Sequence, residues 1–428
     1  MTRSEDPTTD RSSPPPVRSG TARPLLVLGA GSRPYQEDAL RTLAARHQVV
    51  LADSEPGSWT RPYVSRQLTV DLTDPAATEA AVKEFAGRTL LAGVCTVMQH
   101  HAELTARLAE QLGLPGSSPA AIAACRDKAH ARRLLAEHGV PSARCVQVAD
   151  ESAAIDQARL IGYPVIVKPL GLGGTAGVWR ADSDAEAGKA YWYATGETGL
   201  GLRPYGVPGV LVEEYLDGED ISAETVVLNS DVTIVAITRT QRGPEGTLQA
   251  TGHSVDASDP LLDDDAVTGV VTAAVRALGI ERGVLHIELR LTEHGPALME
   301  VSARPGGDLI ELLVQHATGI DLVAAAADLA TGTVPDLTPR HRRAAGVRFL
   351  YPASAGRVCP PYVAAEFREH PWLERLVWTR HFGERVSAPP HASVEDRLGH
   401  WVVTGETLDD CRRRLGEVGV QVSAHTTH

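Results

Sequence analysis

The stretch that most constrains the fold is residues 284–307, VLHIELRLTEHGPALMEVSARPGG. Alternating aliphatic residues at 284–291 and 297–302 flank a Gly-Pro breaker, which predicts two β-strands joined by a turn. Side chains alternate between the two faces of an antiparallel pair, so Glu288 and Glu300 are expected to point to the same face.

Two carboxylates that share a site are costly unless a cation lies between them. Carboxylate oxygens are the hard ligands that Mg²⁺ takes, usually together with nucleotide phosphates. Arg304 adds a planar cation just past the second strand, and the Gly306-Gly307 pair that follows permits close backbone approach. The pattern therefore predicts a site for Mg²⁺ and phosphate, and the alternative is a surface hairpin with solvated glutamates.

Composition narrows the class of protein. A chain of 428 residues suggests two to four domains or subdomains. A net charge of −13 argues against a nucleic-acid-binding surface. Residues 1–23 are rich in Ser, Thr, Pro and charge, which predicts a disordered tail, and no apolar run is long enough to predict a membrane helix. The cysteines are scattered without a C-x-x-C pair, so a reducing cytoplasm is expected.

Strands alternate with helices over the first hundred residues. Strands are predicted at 24–31, 49–53 and 90–97, and helices near 35–46, 75–86 and 100–112. This alternation predicts a doubly wound parallel sheet. Gly29-Ala30-Gly31 with Asp53 has part of a dinucleotide fingerprint, but Pro34 replaces the third glycine, which favours a turn that shapes a substrate cleft.

Two lysines stand out in the middle of the chain, which has only four lysines in all. Lys128 lies in a helix predicted over 119–138, and Lys168 lies in an apolar strand within 163–178. That strand runs into a loop with Gly171, Gly173, Gly174, Thr175 and Gly177, whose N–H groups could wrap phosphate oxygens. A lysine is a compact charge that can follow a phosphate, although Lys128 could instead face solvent.

The remaining pattern predicts an α+β region. Strands are expected at 209–220, 221–228, 232–238, 247–250, 344–351, 373–380 and 398–404, and helices at 264–278, 308–317, 321–330 and 407–416.

Together these segments resemble the ATP-grasp superfamily, and within it the carboxylate–amine ligases that include L-amino acid ligases. The resemblance rests on Asp127-Lys128, Lys168 with its glycine loop, 213–220 (EEYLDGED), and Glu288 with 300–304 (EVSAR). It implies a mixed α/β and α+β ATP-grasp fold with four parts. These are a tail at 1–23, an N-terminal doubly wound parallel-sheet domain at 24–118, a two-subdomain ATP-binding region at 119–340 with a lid at about 143–212, and a small C-terminal α+β domain at 341–428.

The resemblance also implies roles for individual residues. The nucleotide is expected to contact Lys128, Lys168, Gly173, Gly174, Thr175, Glu213, Glu214, Leu216 and Asp220. Glu288, Glu300 and Ser302 match the metal ligands, and Arg304 matches the arginine that steadies the acyl phosphate. The family usually has Asn where Ser302 stands, so the number of metal ions is open. His253, His286, Gly306, Gly307 and Asp308 are expected near the substrates, although either histidine could be structural.

The resemblance implies an ATP-dependent ligase that forms an amide or peptide bond through an acyl phosphate, with Mg²⁺ as the metal and Mn²⁺ as the alternative. The substrates are expected to be a small carboxylate and an amine, and the protein a cytoplasmic homodimer without membrane contact. Asp308 predicts a pocket for a polar or cationic group, unless it is only a helix N-cap. The alternatives are a biotin carboxylase-like subunit and a non-catalytic nucleotide-binding module.

Overall fold

The computed structural model describes residues 23–171, 177–196, 209–243, 248–363, 369–389 and 391–427. The predicted tail, apart from residue 23, and the predicted phosphate contacts Gly173, Gly174 and Thr175 lie outside these ranges.

The first part of the chain forms the predicted parallel sheet. Its elements are β1 (Leu25–Leu28), α1 (Arg33–Arg46), β2 (Val49–Asp53), β3 (Arg66–Thr69), α2 (Pro75–Ala86), β4 (Gly93–Cys95) and α3 (Ala102–Gln111), with strand order β3-β2-β1-β4. Leu25 and Val27 pack towards α1, whereas Leu26 and Leu28 pack towards α2 and α3, so helices cover both faces. The doubly wound sheet is confirmed, but the prediction missed β3.

The helix predicted over 119–138 is two helices, α4 (Pro119–Arg126) and α5 (Lys128–Glu137). Asp127 separates them because its extended backbone ends α4 and its side chain caps α5, accepting a hydrogen bond from the His130 N–H at 2.9 Å. Lys128 is therefore the first residue of a new helix.

Next comes a small antiparallel sheet with strand order β5-β8-β6-β7. Its elements are β5 (Cys145–Val148), α6 (Glu151–Ile161), β6 (Val165–Pro169), β7 (Trp179–Ala181), α7 (Asp184–Gly196) and β8 (Val210–Glu214). Buried alanines of α6 and α7 pack against the aliphatic face of this sheet. Lys168 and Glu213 lie on neighbouring central strands.

The largest sheet has eight strands in the order β13-β12-β9-β10-β11-β14-β19-β17, and every pairing in it is antiparallel. The elements of this part of the chain, including the helices that pack on the sheet, are β9 (Glu219–Leu228), β10 (Asp231–Arg242), β11 (Ala250–Asp256), α8 (Asp265–Ala277), β12 (Arg282–Thr292), β13 (Gly295–Ser302), α9 (Ile310–Thr318), α10 (Leu322–Ala330) and β14 (Ala344–Leu350). The strand predicted at 247–250 begins at Ala250 instead.

The C-terminal segment continues the same sheet through β17 and β19. It contains β15 (Gly356–Val358), β16 (Tyr362–Val363), β17 (Leu373–Trp378), β18 (Arg385–Val386), β19 (Gly399–Gly405), α11 (Leu408–Gln421), β20 (Val422–Ser423) and β21 (Thr426–Thr427). Among the described residues no single helix is long and apolar enough to span a membrane, and only the bent pair α9 and α10 meets the length and composition test jointly.

The two faces of the large sheet differ in polarity. Ile221, Ala223, Ile287 and Leu289 point into an apolar core with α8. The alternate residues of β9 and β12 point to the opposite face, which is polar over 220–224 and becomes apolar at Val226, where α9 and α10 pack. One face of β9 and β12 is therefore polar, and it lies next to α9 and α10.

Candidate active site

The hairpin of β12 and β13 brings the two predicted metal carboxylates together. Glu288 lies directly opposite Glu300, and His286 lies directly opposite Ser302. Directly paired residues have Cβ atoms about 4.5–5.5 Å apart on one face of a sheet. The predicted convergence of Glu288 and Glu300 is therefore confirmed.

Both carboxylates of this pair have cationic neighbours. The Glu300 Oε2 atom lies 3.6 Å from the Lys128 Nζ, and the Glu288 Oε1 atom lies 3.4 Å from the His286 Nε2. Burial acts to raise the pKa of Glu288, but the hydrogen bond and charge of His286 outweigh it, with help from Arg242 and Arg304, and lower that pKa. Glu288 is thus ionised, and its side chain is 49% exposed.

The donor set fits a magnesium ion that is shared with nucleotide phosphates. No group of three or more His, Cys, Asp or Glu side chains within the described ranges could hold a metal by itself. Mg²⁺ commonly takes only one or two carboxylates and completes its shell with phosphates and water. Glu288 and Glu300 supply two such carboxylates, and Ser302 lies two residue pairs further along the hairpin and is only 3% exposed.

Glu224, which the sequence analysis missed, lies beneath this pair on β9 and is fully buried. Its carboxylate oxygens are 3.0 and 3.1 Å from the His286 Nδ1. Burial acts to lower the pKa of His286, yet Glu224 and, to a lesser extent, Glu288 raise it to about 10. The imidazole is therefore a cation held between two carboxylates.

The predicted lysine Lys168 belongs to a second buried cluster. Its ammonium forms an ion pair with Glu213, which is 1% exposed. Arg132 donates from Nε to the same carboxylate at 2.8 Å and from Nη2 to the Met299 carbonyl at 2.6 Å. Burial acts to raise the pKa of Glu213, but the two cations lower it to about 2. Arg132 was missed because nothing in a helical RR pair shows which arginine faces inward.

The other predicted nucleotide contacts, Glu214, Leu216 and Asp220, lie at the end of β8, in the connection after it and at the start of β9. The Glu214 side chain does not join the cluster, because it accepts hydrogen bonds from Arg144 on the other side of the strand. Leu216 is partly buried in the connection between β8 and β9. Asp220 lies between Arg242 and Arg290, whose Nη2 is 2.8 Å from its Oδ1.

Arg304 lies on the loop after β13, close to the carboxylate pair. Its Nη1 donates to the Pro305 carbonyl at 2.6 Å, and it borders a cavity of about 100 Å³ between the N-terminal sheet and α10. A Cβ at Gly306 would lie 2.9 Å from the Glu224 Oε2, so this loop requires glycine there. A Cβ at Gly307 would lie 3.4 Å from the Arg304 guanidinium.

Asp308 has a different environment from the one that the sequence suggested. Both of its oxygens accept hydrogen bonds from Arg397 at 2.8 Å, and Arg397 is 1% exposed and stacks 3.7 Å from the Phe349 ring centroid. The N-cap alternative is wrong, because Leu309 occupies the N-cap position of α9, which has no side-chain cap hydrogen bond. The prediction of a pocket for a polar or cationic group relied on the Asp308 carboxylate, whose charge Arg397 neutralises.

His253 lies beside this ion pair on β11. Its Nε2 is 3.6 Å from the Asp308 Oδ2 and has no hydrogen-bond partner in the described part of the chain, whereas its Nδ1 is 3.1 Å from the Thr240 hydroxyl. His253 is 5% exposed, so its Nε2 is a buried polar atom that makes no hydrogen bond within the described ranges.

Two family models match the chain. The ATP-grasp N-terminal domain matches residues 42–116, and the ATP binding domain of the carbamoyl-phosphate synthase L chain matches residues 127–337, so together they cover more than half of the chain. The chain therefore belongs to the ATP-grasp family, and ATP is its nucleotide.

Curated relatives narrow the class. Phosphoribosylamine–glycine ligase of Streptomyces coelicolor is 28% identical over 94% of this chain and 97% of its own length. Human carnosine synthase 1 is 27% identical over 74% of this chain and 41% of its own length. An uncharacterized protein of Sinorhizobium fredii is 30% identical over 74% of this chain, and the match covers 65% of that protein, just under two thirds.

Solved structures agree on the fold. The L-amino acid ligase from Bacillus licheniformis superposes with a TM-score of 0.80 at 21% identity and covers 96% of this chain and 100% of its own. A biotin carboxylase from Campylobacter jejuni gives a TM-score of 0.67 at 17% identity over 94% of this chain and 91% of its own. The named relatives place the chain with ATP-dependent ligases that form carbon–nitrogen bonds, whereas the likeness to biotin carboxylases is one of fold.

Proposed function

We propose that the protein joins the carboxylate of one amino acid, or of a similar acid, to the amine of another in an ATP-dependent reaction. The γ-phosphoryl group of ATP passes to the substrate carboxylate and gives an acyl phosphate and ADP. The amine then attacks the acyl carbon, phosphate leaves with the carbon–oxygen bond electrons, and the amine loses a proton to solvent. The products are an amide, ADP and phosphate.

The observation that carries this proposal is the direct pairing of Glu288 with Glu300, with Lys128 beside Glu300 and Arg304 acting on Glu288. Glu288 and Glu300 would hold Mg²⁺, or Mn²⁺ in its place. When bound, this ion neutralises charge on the moving phosphoryl group. Arg304 lies on the loop beside the pair, where its guanidinium would stabilise the oxyanion of the tetrahedral intermediate. Catalysis is then mainly positioning and electrostatics.

The nucleotide contacts are proposed by position. Lys128, Lys168, Gly173, Gly174 and Thr175 would contact the phosphates. Glu213 keeps Lys168 in place through its ion pair, and the backbone near Leu216 would meet the adenine. Asp220 would take the ribose hydroxyls, while its ion pairs with Arg242 and Arg290 orient its carboxylate.

On the substrate side we propose a pocket for an uncharged polar group. The bidentate pair of Asp308 and Arg397 leaves no net charge there, and the buried Nε2 of His253 offers one hydrogen bond. A buried polar atom that a ligand fails to pair costs about 1–3 kcal/mol, which is the basis for selection.

The direct test measures phosphate and ADP release with ATP, Mg²⁺ and the amino acids, singly and in pairs. We expect release that requires an acid and an amine together, and a product whose mass is their sum less one water. Glu288→Gln should abolish release, whereas Glu417→Gln, in an exposed pair with Arg413, should not. Release that needs bicarbonate and biotin would instead indicate a carboxylase, and no release under any condition would indicate a binding module.

We also propose a cytoplasmic homodimer that acts on small molecules and not on nucleic acid. The resemblance to dimeric ligases supports the assembly. The five cysteines, all free thiols, and the net charge of −13 fit the compartment and the absence of a nucleic-acid partner. Light scattering of the purified protein tests the dimer.

A further inference from the structure

Three ionisable groups form a continuous row under the candidate metal site. Glu224 on β9 contacts the Nδ1 of His286 on β12 at 3.0 and 3.1 Å, and the Nε2 of the same ring lies 3.4 Å from the Glu288 Oε1. The row runs from a fully buried carboxylate to one that is 49% exposed. It therefore links the protein interior to the surface where the metal would bind.

The buried end of the row is rigidly held. The Glu224 Oε1 accepts hydrogen bonds from the Ser222 hydroxyl at 2.8 Å and from the Thr238 hydroxyl at 3.0 Å. Gly306, two residues after Arg304, closes over the Glu224 Oε2, where a Cβ would lie 2.9 Å away. Glu224 therefore fixes the plane of the imidazole and also supports the loop that carries Arg304.

The exposed end of the row needs such support. Glu288 has three rotatable side-chain bonds, and its direct neighbour Glu300 repels it when no cation is bound. The His286 ring, which is held in place by Glu224, limits the orientations that the Glu288 carboxylate can take. A comparable restraint is known at metal centres, where groups that orient the ligands are worth about 10–100-fold in metal affinity.

We propose that Glu224 and His286 are positioning residues for the divalent ion. Glu224 fixes the imidazole through Nδ1, and the imidazole Nε2, 3.4 Å from the Glu288 Oε1, then restrains the carboxylate that would hold the ion. This inference rests on the proposed metal site at Glu288 and Glu300, and it does not require the ligation chemistry.

Two substitutions of His286 separate its contact with Glu224 from its contact with Glu288. In His286→Asn the side-chain amide reaches the place of Nδ1, so the bond to Glu224 is retained and the donor to Glu288 is lost. In His286→Gln the amide reaches the place of Nε2, so the donor to Glu288 is retained and the bond to Glu224 is lost. Glu224→Gln tests the buried end.

The readout is Mn²⁺ binding to the protein with ADP, measured from the free Mn²⁺ signal in electron paramagnetic resonance. We expect His286→Asn to weaken Mn²⁺ binding about 10–100-fold and His286→Gln to weaken it clearly less. In steady state His286→Asn should raise the Mg²⁺ concentration for half-maximal rate more than it lowers kcat. Asp328→Asn removes a buried carboxylate that pairs with Arg46 away from the site, and it should leave Mn²⁺ binding unchanged.

The positioning role would be overturned if His286→Asn and His286→Gln weakened Mn²⁺ binding equally. It would also be overturned if neither variant weakened Mn²⁺ binding while both melted at the same temperature as the Asp328→Asn control. A wild-type protein that binds no Mn²⁺ would overturn it too. If the wild type releases no phosphate but the Asn variant still binds Mn²⁺ more weakly than the Gln variant, the ligase proposal fails and the positioning role stands.

Discussion

Glu311 illustrates how one buried carboxyl group makes the stability of the fold depend on pH. Its Oε2 is buried without a hydrogen-bond partner in the described ranges, although the residue lies in the first turn of α9. Burial raises the pKa of Glu311 to about 8, even though Arg304 and Arg375 act in the opposite direction. The folded protein therefore holds this proton more tightly than the unfolded chain, in which the pKa is 4.5.

The sign of the effect on stability follows from proton binding. Between pH 4.5 and about 8 the folded state binds more protons at Glu311 than the unfolded state, so stability falls as the pH rises through this window. Glu311→Gln removes the titration. We expect the variant to gain melting temperature relative to wild type at about pH 8 and to gain less at about pH 5.

The control for Glu311 is Glu417→Gln, which changes the same chemical group in an exposed pair on α11. Its difference from wild type should be the same at both pH values in scanning fluorimetry. A Glu311→Gln difference that is likewise independent of pH would contradict the raised pKa.

Residues that interact with neighbours in the chain were predictable, and residues whose partners are remote were not. Glu288 and Glu300 are predictable because one hairpin fixes their register. Glu224 meets His286 across 62 residues, and Arg397 meets Asp308 across 89 residues. A buried Arg or Glu has no distinctive local pattern, so such pairs become visible only when the sheet is assembled.

At the scale of elements, the break between α4 and α5 places Lys128. Asp127 donates its N–H to the Ala123 carbonyl, and its side chain caps the first turn of α5. Lys128 is then the first residue of α5, with its ammonium beside Glu300 at the positive end of the helix dipole. Such a helix start favours phosphate oxygens.

Asp127→Ala should therefore have two effects. Loss of the cap should cost about 1 kcal/mol in the free energy of unfolding, measured with urea. The first turn of α5 should fray and let Lys128 move, which should raise the KM for ATP with a smaller change in kcat.

The matched control removes a cap elsewhere. Asp264 caps α8 by accepting from the Val267 N–H at 2.9 Å, and α8 packs on the apolar face of the large sheet, away from the face that carries Glu288. Asp264→Ala should lose similar stability without a change in the KM for ATP. If both variants change that KM equally, α5 has no special role.

Strong local patterns explain which elements were predicted. The buried strands β1, β2 and β4 are short apolar runs, and helix α8 has a clear apolar face, so their pattern suffices. Strand β3 is the polar run RQLT and is mostly exposed, so only its pairing with β2 makes it a strand. The short strands β15, β18 and β21 likewise exist through pairing with one another.

At the scale of the whole molecule, buried ion pairs connect the three regions around the site. Arg375 on β17 binds Asp38 on α1, which joins the C-terminal segment to the N-terminal sheet. Arg397, just before β19, binds Asp308 on the loop after β13. The large sheet also runs without interruption from β13 to β17, so the C-terminal segment helps to form the substrate side.

The two partners of the Asp308–Arg397 pair differ in burial, so removing one partner should destabilise the protein more than removing the other. Arg397 is 1% exposed, whereas Asp308 is 31% exposed. Asp308→Asn leaves a buried guanidinium without its counter-ion and should cost about 3–5 kcal/mol. Arg397→Met leaves a carboxylate that water can reach, so its cost should be smaller, and the double variant Asp308→Asn/Arg397→Met should recover part of the loss in urea unfolding.

The same three variants test substrate selection. Arg397→Met uncovers the Asp308 carboxylate in the proposed pocket, so amino acids with cationic side chains should gain kcat/KM relative to uncharged polar ones. The double variant keeps the shape of Arg397→Met but lacks the carboxylate, so it should show no such gain. The comparison therefore isolates the charge of Asp308 from the volume that Met vacates. If cationic substrates gain equally in both variants, or in neither while both remain folded, Arg397 does not control the charge of the pocket and the site that selects the substrate lies elsewhere.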